Sequence, residues 1–312
     1  MTQIETDRLK MIQKLHRKSM RKKTAAGYVC LFPWLIGLFA FTIIPMMTSL
    51  YLSFTKYDMF TDAQFVGLKN YIFMFTKDTQ FHNALRVTLI YVFLAVPLEL
   101  AFALTLASFL QKGVKGLRIY RSVYYIPSLF GANVAISLLW RQIFGINGIL
   151  NHVLSLFGVQ GISWLGDPRY ALFTLIFLKI WQVGSPMLIF LSGLQQIPED
   201  YYEAARIDGA TKFHCFWRIT LPLITPILLF NGIMQMINTF KSFTPAYIIS
   251  GGTGSPADSL MFYTLYLYRK GFMFNQMGYA SALAWVLLLI ISTLTFIVFK
   301  SSGKWVHYSD EE

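Results

Sequence analysis

Asn231, Gln235, Asn238 and Ser242 recur at intervals of four, three and four residues inside an otherwise apolar stretch. At about 100° per residue on a helix, all four fall within roughly 60° of one another and form one polar stripe. A polar group in hydrocarbon is costly unless it meets a partner or water. The stripe is therefore either a seam of interhelical hydrogen bonds or one wall of a hydrophilic passage. Amides and hydroxyls both donate and accept, which suits a polyhydroxylated solute better than an ion.

Other costly groups lie in neighbouring apolar stretches: Glu99 in one, Lys179 with Gln182 in another, and Lys241 beside the stripe. Ionisable residues at such depth are functional candidates by default. A Glu99–Lys179 ion pair joining two helices explains the first two equally well. Lys241 either snorkels to the surface or faces the passage, where it would favour an acidic solute. Trp181 and Tyr124 are the aromatic candidates for stacking on sugar rings.

Several chemistries are disfavoured. The five histidines are scattered, and no HExxH or CxxC spacing exists, so no metal site is expected. No Walker pattern is present: Gly251–Pro256 reads GGTGSP, a turn cluster, and the Gly303–Lys304 pair runs into Trp305. Neighbouring intramembrane carboxylates, which a hydrolase would need, are also missing.

What positions these residues is a membrane. The chain is 55% hydrophobic and 13% charged, with mean hydropathy +0.50, against roughly 25% charged in soluble domains. Six apolar runs have spanning length: 27–54, 81–110, 120–144, 170–194, 223–250 and 277–300. The first lacks a small-residue cleavage site and reads as a retained span. Seventeen Lys/Arg lie on the side that carries both ends, against six opposite. Both termini are therefore expected in the cytoplasm of a multi-pass plasma-membrane protein. The net charge of +12 is mostly this topology signal, not a nucleic-acid-binding face.

The organisation expected is a basic arm over 1–26, a six-span domain over 27–300 with a loop at 195–222, and a tail over 301–312. Leu9, Ile12 and Leu15 in the arm would either lie on the inner leaflet or simply flank a stop to translocation. Cys30 and Cys215 both fall near the reducing side, so no disulfide is expected. Prolines recur in or beside the first five runs and tend to kink helices where they line a cavity. The three segments 55–80, 145–169 and 251–276 on the other side are long enough only for short helices and lids.

The loop is unusual. Pro198, Glu199, Asp200 and Glu203 suit a helix's first turn, and Gly209 suits its stop, so a helix is expected over 198–208. A second helix over 210–220 leads to Pro222 and the run that carries the polar stripe. A short rigid helix there, with small Ala204 and Ala205, would act as a lever between a cytoplasmic partner and that run.

Glu203, Ala204, Ala205, Gly209, Ile219, Leu221 and Pro222 fit the spacing Glu-Ala-Ala, three residues, Gly, nine residues, Ile-x-Leu-Pro. This resembles the signature loop of permease subunits in binding-protein-dependent ABC importers. FVGLKNY (65–71), FTPAYIISGG (243–252) and MGYASALAW (277–285) resemble the carbohydrate-importing members, so the likeness covers nearly the whole chain beyond the arm. The resemblance implies an all-α polytopic fold of six transmembrane helices, the type I importer permease fold. It implies a second permease subunit, two ABC ATPase subunits, an external solute-binding protein and a carbohydrate solute. It places Glu203, Ala204, Ala205, Asp208 and Gly209 on a coupling helix at the ATPase. ATP and Mg would be bound by the partner subunits, with no cofactor on this chain and no ATPase site of its own. One departure is Lys241, where many sugar permeases carry an uncharged or acidic residue. That opens an acidic oligosaccharide as the solute.

Two rival readings stand beside this one. A self-sufficient secondary transporter or channel would need a coupling-ion site and usually internal repeats, and neither is visible. A membrane enzyme lacks its catalytic cluster.

Overall fold

The computed structural model describes residues 30–111, 116–131 and 133–307, with Met20 and Tyr28. Apart from Met20, the expected basic arm lies outside the described residues, as do tail residues 308–312.

Helix α1 (Cys30–Ser53) leads into a two-stranded hairpin, β1 (Thr55–Lys56) and β2 (Gln64–Phe65), then α2 (Lys69–Thr76) and α3 (Thr79–Gln111). Next come α4 (Leu117–Phe130), α5 (Val134–Ile143) and α6 (Ile149–Leu156). Then follow α7 (Pro168–Trp181), α8 (Gly184–Leu194) and α9 (Asp200–Ile207). The chain continues with α10 (Lys212–Leu223), α11 (Thr225–Phe240) and α12 (Thr244–Ile249). It closes with α13 (Tyr263–Tyr268) and α14 (Met277–Ser302). Apart from the hairpin, the described residues hold no sheet.

Three helices are long and apolar enough to cross a bilayer unaided: α1 with 24 residues, α3 with 33 and α14 with 26. At 1.5 Å per residue α3 reaches about 50 Å, more than a ~30 Å hydrocarbon core requires. It is the spine of the bundle. Ala84, Ala95, Ala103 and Ala107 on α3 are fully buried, so neighbouring backbones approach it closely.

The other three expected runs are each broken. The α7–α8 pair bends by 44°, the α10–α11 segment by 67°, and α4 and α5 meet at 105°. The third run, read as a single span over 120–144, is thus two short helices set at 105° to each other. Gly131 is the reason: its φ of +52° and ψ of −153° lie outside the helical region. Asn133 then restarts the chain as a cap, its side chain accepting from the Ala135 amide. At the 67° bend, Pro226 has no N–H to return to the preceding turn, and the break falls two residues earlier at Ile224.

Two apolar clusters sit along α3. One gathers around Phe81, Tyr91, Leu175, Phe240, Phe262 and Tyr263. The other gathers around Leu104, Met187, Phe190, Leu194 and Ile224, nearer the α9 end. Gly184 makes the joint between α4 and α8 possible: a Cβ there would lie 2.6 Å from the Tyr124 carbonyl oxygen.

The segments expected to be short helices and lids are tied down by polar side chains. Asn70 donates to the Ser53 and Thr55 carbonyls, both at 2.9 Å. Buried Asn151 donates to the Ile146 and Ile162 carbonyls and accepts from the Ile162 amide and the Trp164 indole N–H. Cys30 is exposed, Cys215 is buried, and both are free.

Candidate functional site

Two features align with the residues singled out in the sequence. The first is a cavity of about 400 Å³ where the broken helices converge. Tyr91 and Glu99 reach it from α3, Lys179 from α7, and Gln182 and Ser185 from the α7–α8 break. Gln235 and Asn238 line it from α11, with Lys241 and Ser242 just beyond.

The costly groups of three helices meet here. Lys179 Nζ lies 3.2 Å from Glu99 Oε1, and Glu99 is fully buried. The same ammonium donates to Gln235 Oε1 at 2.8 Å. An ion pair withdrawn from water needs further hydrogen bonds to offset desolvation, and Gln235 supplies one. The pair that sequence left as an alternative is therefore real, and it also reaches the polar stripe. Gln182 donates through Nε2 to the Gly131 carbonyl at 2.7 Å, using the backbone that the α4–α5 bend exposes.

The stripe divides. Gln235, Asn238 and Ser242 line the cavity, whereas Asn231 is fully buried outside it. Asn231 Nδ2 reaches the Pro186 carbonyl at 3.4 Å, so this member serves the helix seam. Lys241 caps the C-terminal end of α11, where a cation is favoured, and remains exposed. Neither ion pair among the described residues includes it. Trp181 lies outside the cavity lining and packs on Trp140 with ring centroids 5.8 Å apart. Tyr124 is likewise not among the lining residues.

The second feature is α9. Its eight residues include none that is buried. The helix ends as the sequence requires: the Ala210 amide bonds the Ala205 carbonyl at 2.9 Å and the Gly209 amide bonds the Arg206 carbonyl at 3.0 Å. That double bond pattern needs a left-handed residue, and Gly209 has φ +76°. Thr211 then caps α10, its hydroxyl accepting from the His214 amide. Glu203, Ala204 and Asp208 are exposed, and Ala205 is half-buried. Ile207 is 87% exposed, an apolar side chain with little of the described residues over it. Sequence reasoning passed over Ile207, although its spacing from Ala204 puts both on one face. It also passed over Tyr202, whose hydroxyl meets that of Thr220 at 2.9 Å and ties α9 to α10. A cavity of about 750 Å³ lies behind α9, bounded by Gln111, Leu194, Arg206 and Phe216.

Among the described residues, no group of three or more His, Cys, Asp or Glu could hold a metal ion.

A helical bundle with broken spans, an intramembrane polar cavity and a protruding short helix defines a transport permease. The description of a binding-protein-dependent transport system inner membrane component matches residues 87–307, and the chain belongs to that family. The chain is 50% identical over 296 residues to the probable ABC transporter permease protein YesP of Bacillus subtilis, covering 95% of this chain and 96% of that one. It is 32% identical to the arabinooligosaccharides transport system permease protein AraP of the same organism, over 90% of each. A crystallised bacterial alginate ABC transporter complex contains a chain of the same fold, with TM-score 0.79 at 21% identity, covering 90% of this chain and 95% of that one. The all-α importer permease fold expected from the sequence is thus the observed one.

Proposed function

We propose that this chain is one permease subunit of an ATP-driven carbohydrate importer and that its solute is an oligosaccharide. Two ABC ATPase subunits, a second permease subunit and an external solute-binding protein complete the assembly. ATP and Mg are held by the ATPase subunits. The observation that carries this reading is α9: a rigidly stopped helix, apolar at Ile207 and small at Ala204, with none of its residues buried by the described residues and a hydroxyl tie into α10. Glu203, Ala204, Ala205, Asp208 and Gly209 form the surface that seats in an ATPase. Motion there passes through α10 to α11, whose Gln235 and Asn238 line the cavity. Both termini then lie in the cytoplasm with α9, and the cavity is part of the solute's path. The names of its relatives, among them an arabinooligosaccharide permease, support a carbohydrate.

Gly209→Asp tests the coupling role. The φ of +76° strains a side-chain-bearing residue and the new carboxylate alters the contact face. The variant is expected in the membrane at normal levels, without uptake and with ATP hydrolysis no longer responsive to solute. Wild-type uptake by this variant would remove the proposal. Copurification of ATPase subunits with the wild-type chain checks the assembly separately.

A further inference from the structure

We propose that Glu99 and Lys179 are positioning residues: they fix Gln235 as a hydrogen-bond donor toward the solute, so that the α11 wall selects carboxylate-bearing sugars. This rests on the reading of the cavity as part of the solute's path.

An ammonium has only donors, so the group 2.8 Å from Lys179 Nζ must be the amide oxygen of Gln235. The amide nitrogen is then the end left for the cavity, and no hydrogen bond among the described residues claims it. Gln235 cannot turn over without setting N–H against ammonium. Lys179 cannot swing away without leaving the buried Glu99 carboxylate unpaired at 3.2 Å. The ion pair adds no net charge; its effect is direction. Six residues on, about 9 Å along the helix, Lys241 presents a second donor with no acidic partner among the described residues. Gln182 on the facing side is locked the other way, its N–H₂ on the Gly131 carbonyl, leaving an acceptor for a sugar hydroxyl. The cavity is thus polarised: donors along α11, an acceptor at the α7–α8 break. A neutral ring's hydroxyls can meet both sides, but a carboxylate takes the α11 donors in stronger, charge-assisted bonds and adds a charge that Lys241 complements, so an acidic ring fits this polarity better.

The test uses the purified, assembled transporter in lipid nanodiscs, with trigalacturonate and neutral galactotriose as probes. Wild type is expected to bind the acidic trimer at least about tenfold more tightly, the scale of one hydrogen bond to a charged group. The double variant E99Q/K179M keeps volume and net charge but frees Gln235 to turn. Its preference should fall about fivefold or more. A pair that only joined helices would leave the preference unchanged, and that result overturns the inference. So does a wild type that does not discriminate. If the double variant does not assemble, Gln235→Met gives the same reading: the acidic preference drops, or the inference is wrong. Asn238→Trp separates the two levels. If it leaves binding of both sugars intact, the cavity is not the path and the underlying reading has failed. If it blocks binding while E99Q/K179M keeps the acidic preference, only the positioning role has failed.

Discussion

Tyr202 and Thr220 meet hydroxyl to hydroxyl at 2.9 Å, and this contact joins the protruding α9 to the segment that becomes α11. Thr220 is buried and also reaches the Cys215 carbonyl, so the tie has a fixed inner anchor. Tyr202→Phe keeps the ring and removes the bond. Losing one such bond costs about 1 kcal/mol. Transport per ATP hydrolysed is expected to fall about fivefold while the protein assembles normally. Simultaneous measurement of uptake and hydrolysis in proteoliposomes checks this; an unchanged ratio would show that α9 moves without this tie.

At the far end of α3, Asp78 accepts from the hydroxyls of Tyr266 and Tyr279 and from the Phe81 amide. It thereby clamps α3, α13 and α14 together. Burial pushes its carboxyl up, but the bonds from Tyr266, Tyr279 and Phe81, with Lys270 nearby, outweigh burial and hold it below the usual carboxylate range. A lowered folded value means the ionised form stabilises the fold. That contribution is complete above the unfolded value near 4 and is lost as pH falls through the folded one. Asp78→Asn should lower the thermal midpoint in detergent at pH 7. Below about pH 4 the gap between variant and wild type should narrow. A constant gap across pH would contradict the assignment.

Gly184→Val should damage folding rather than transport chemistry. Its Cβ would lie 2.6 Å from the Tyr124 carbonyl oxygen and 2.7 Å from Ser128 Oγ, forcing α4 and α8 apart. Overpacking of this kind costs about 1–3 kcal/mol. A lower melting temperature and faster proteolysis in membranes are expected.

Lys241→Gln removes an exposed positive charge from the cavity rim but leaves a donor there. An exposed charge contributes little, on the order of 0.5–1 kcal/mol. The preference for an acidic over a neutral trisaccharide should fall about two- to fivefold, and less at high salt. Unchanged preference at low salt would mean that Lys241 serves only the end of α11.

The spans and α9 could be read from sequence because the forces that set them are local. An apolar run of spanning length partitions into lipid wherever its neighbours are. Gly209 ends α9 because of its own backbone freedom, and Thr211 restarts the chain through its own hydroxyl. The 105° fold at Gly131 escaped that reading, since an apolar run looks the same whether straight or broken.

The amino-acid sequence by itself determined the membrane class, the number of apolar runs, the polar stripe and the short helix that stops at Gly209, since periodicity and helix stops act within a few residues. Only the tertiary structure decided that Asn231 belongs to a seam while Gln235 lines a cavity, and that Glu99, Lys179 and Gln235 meet. Those three come from helices 80 and 56 residues apart. Ion pairing and burial depend on distances that only the packed bundle sets.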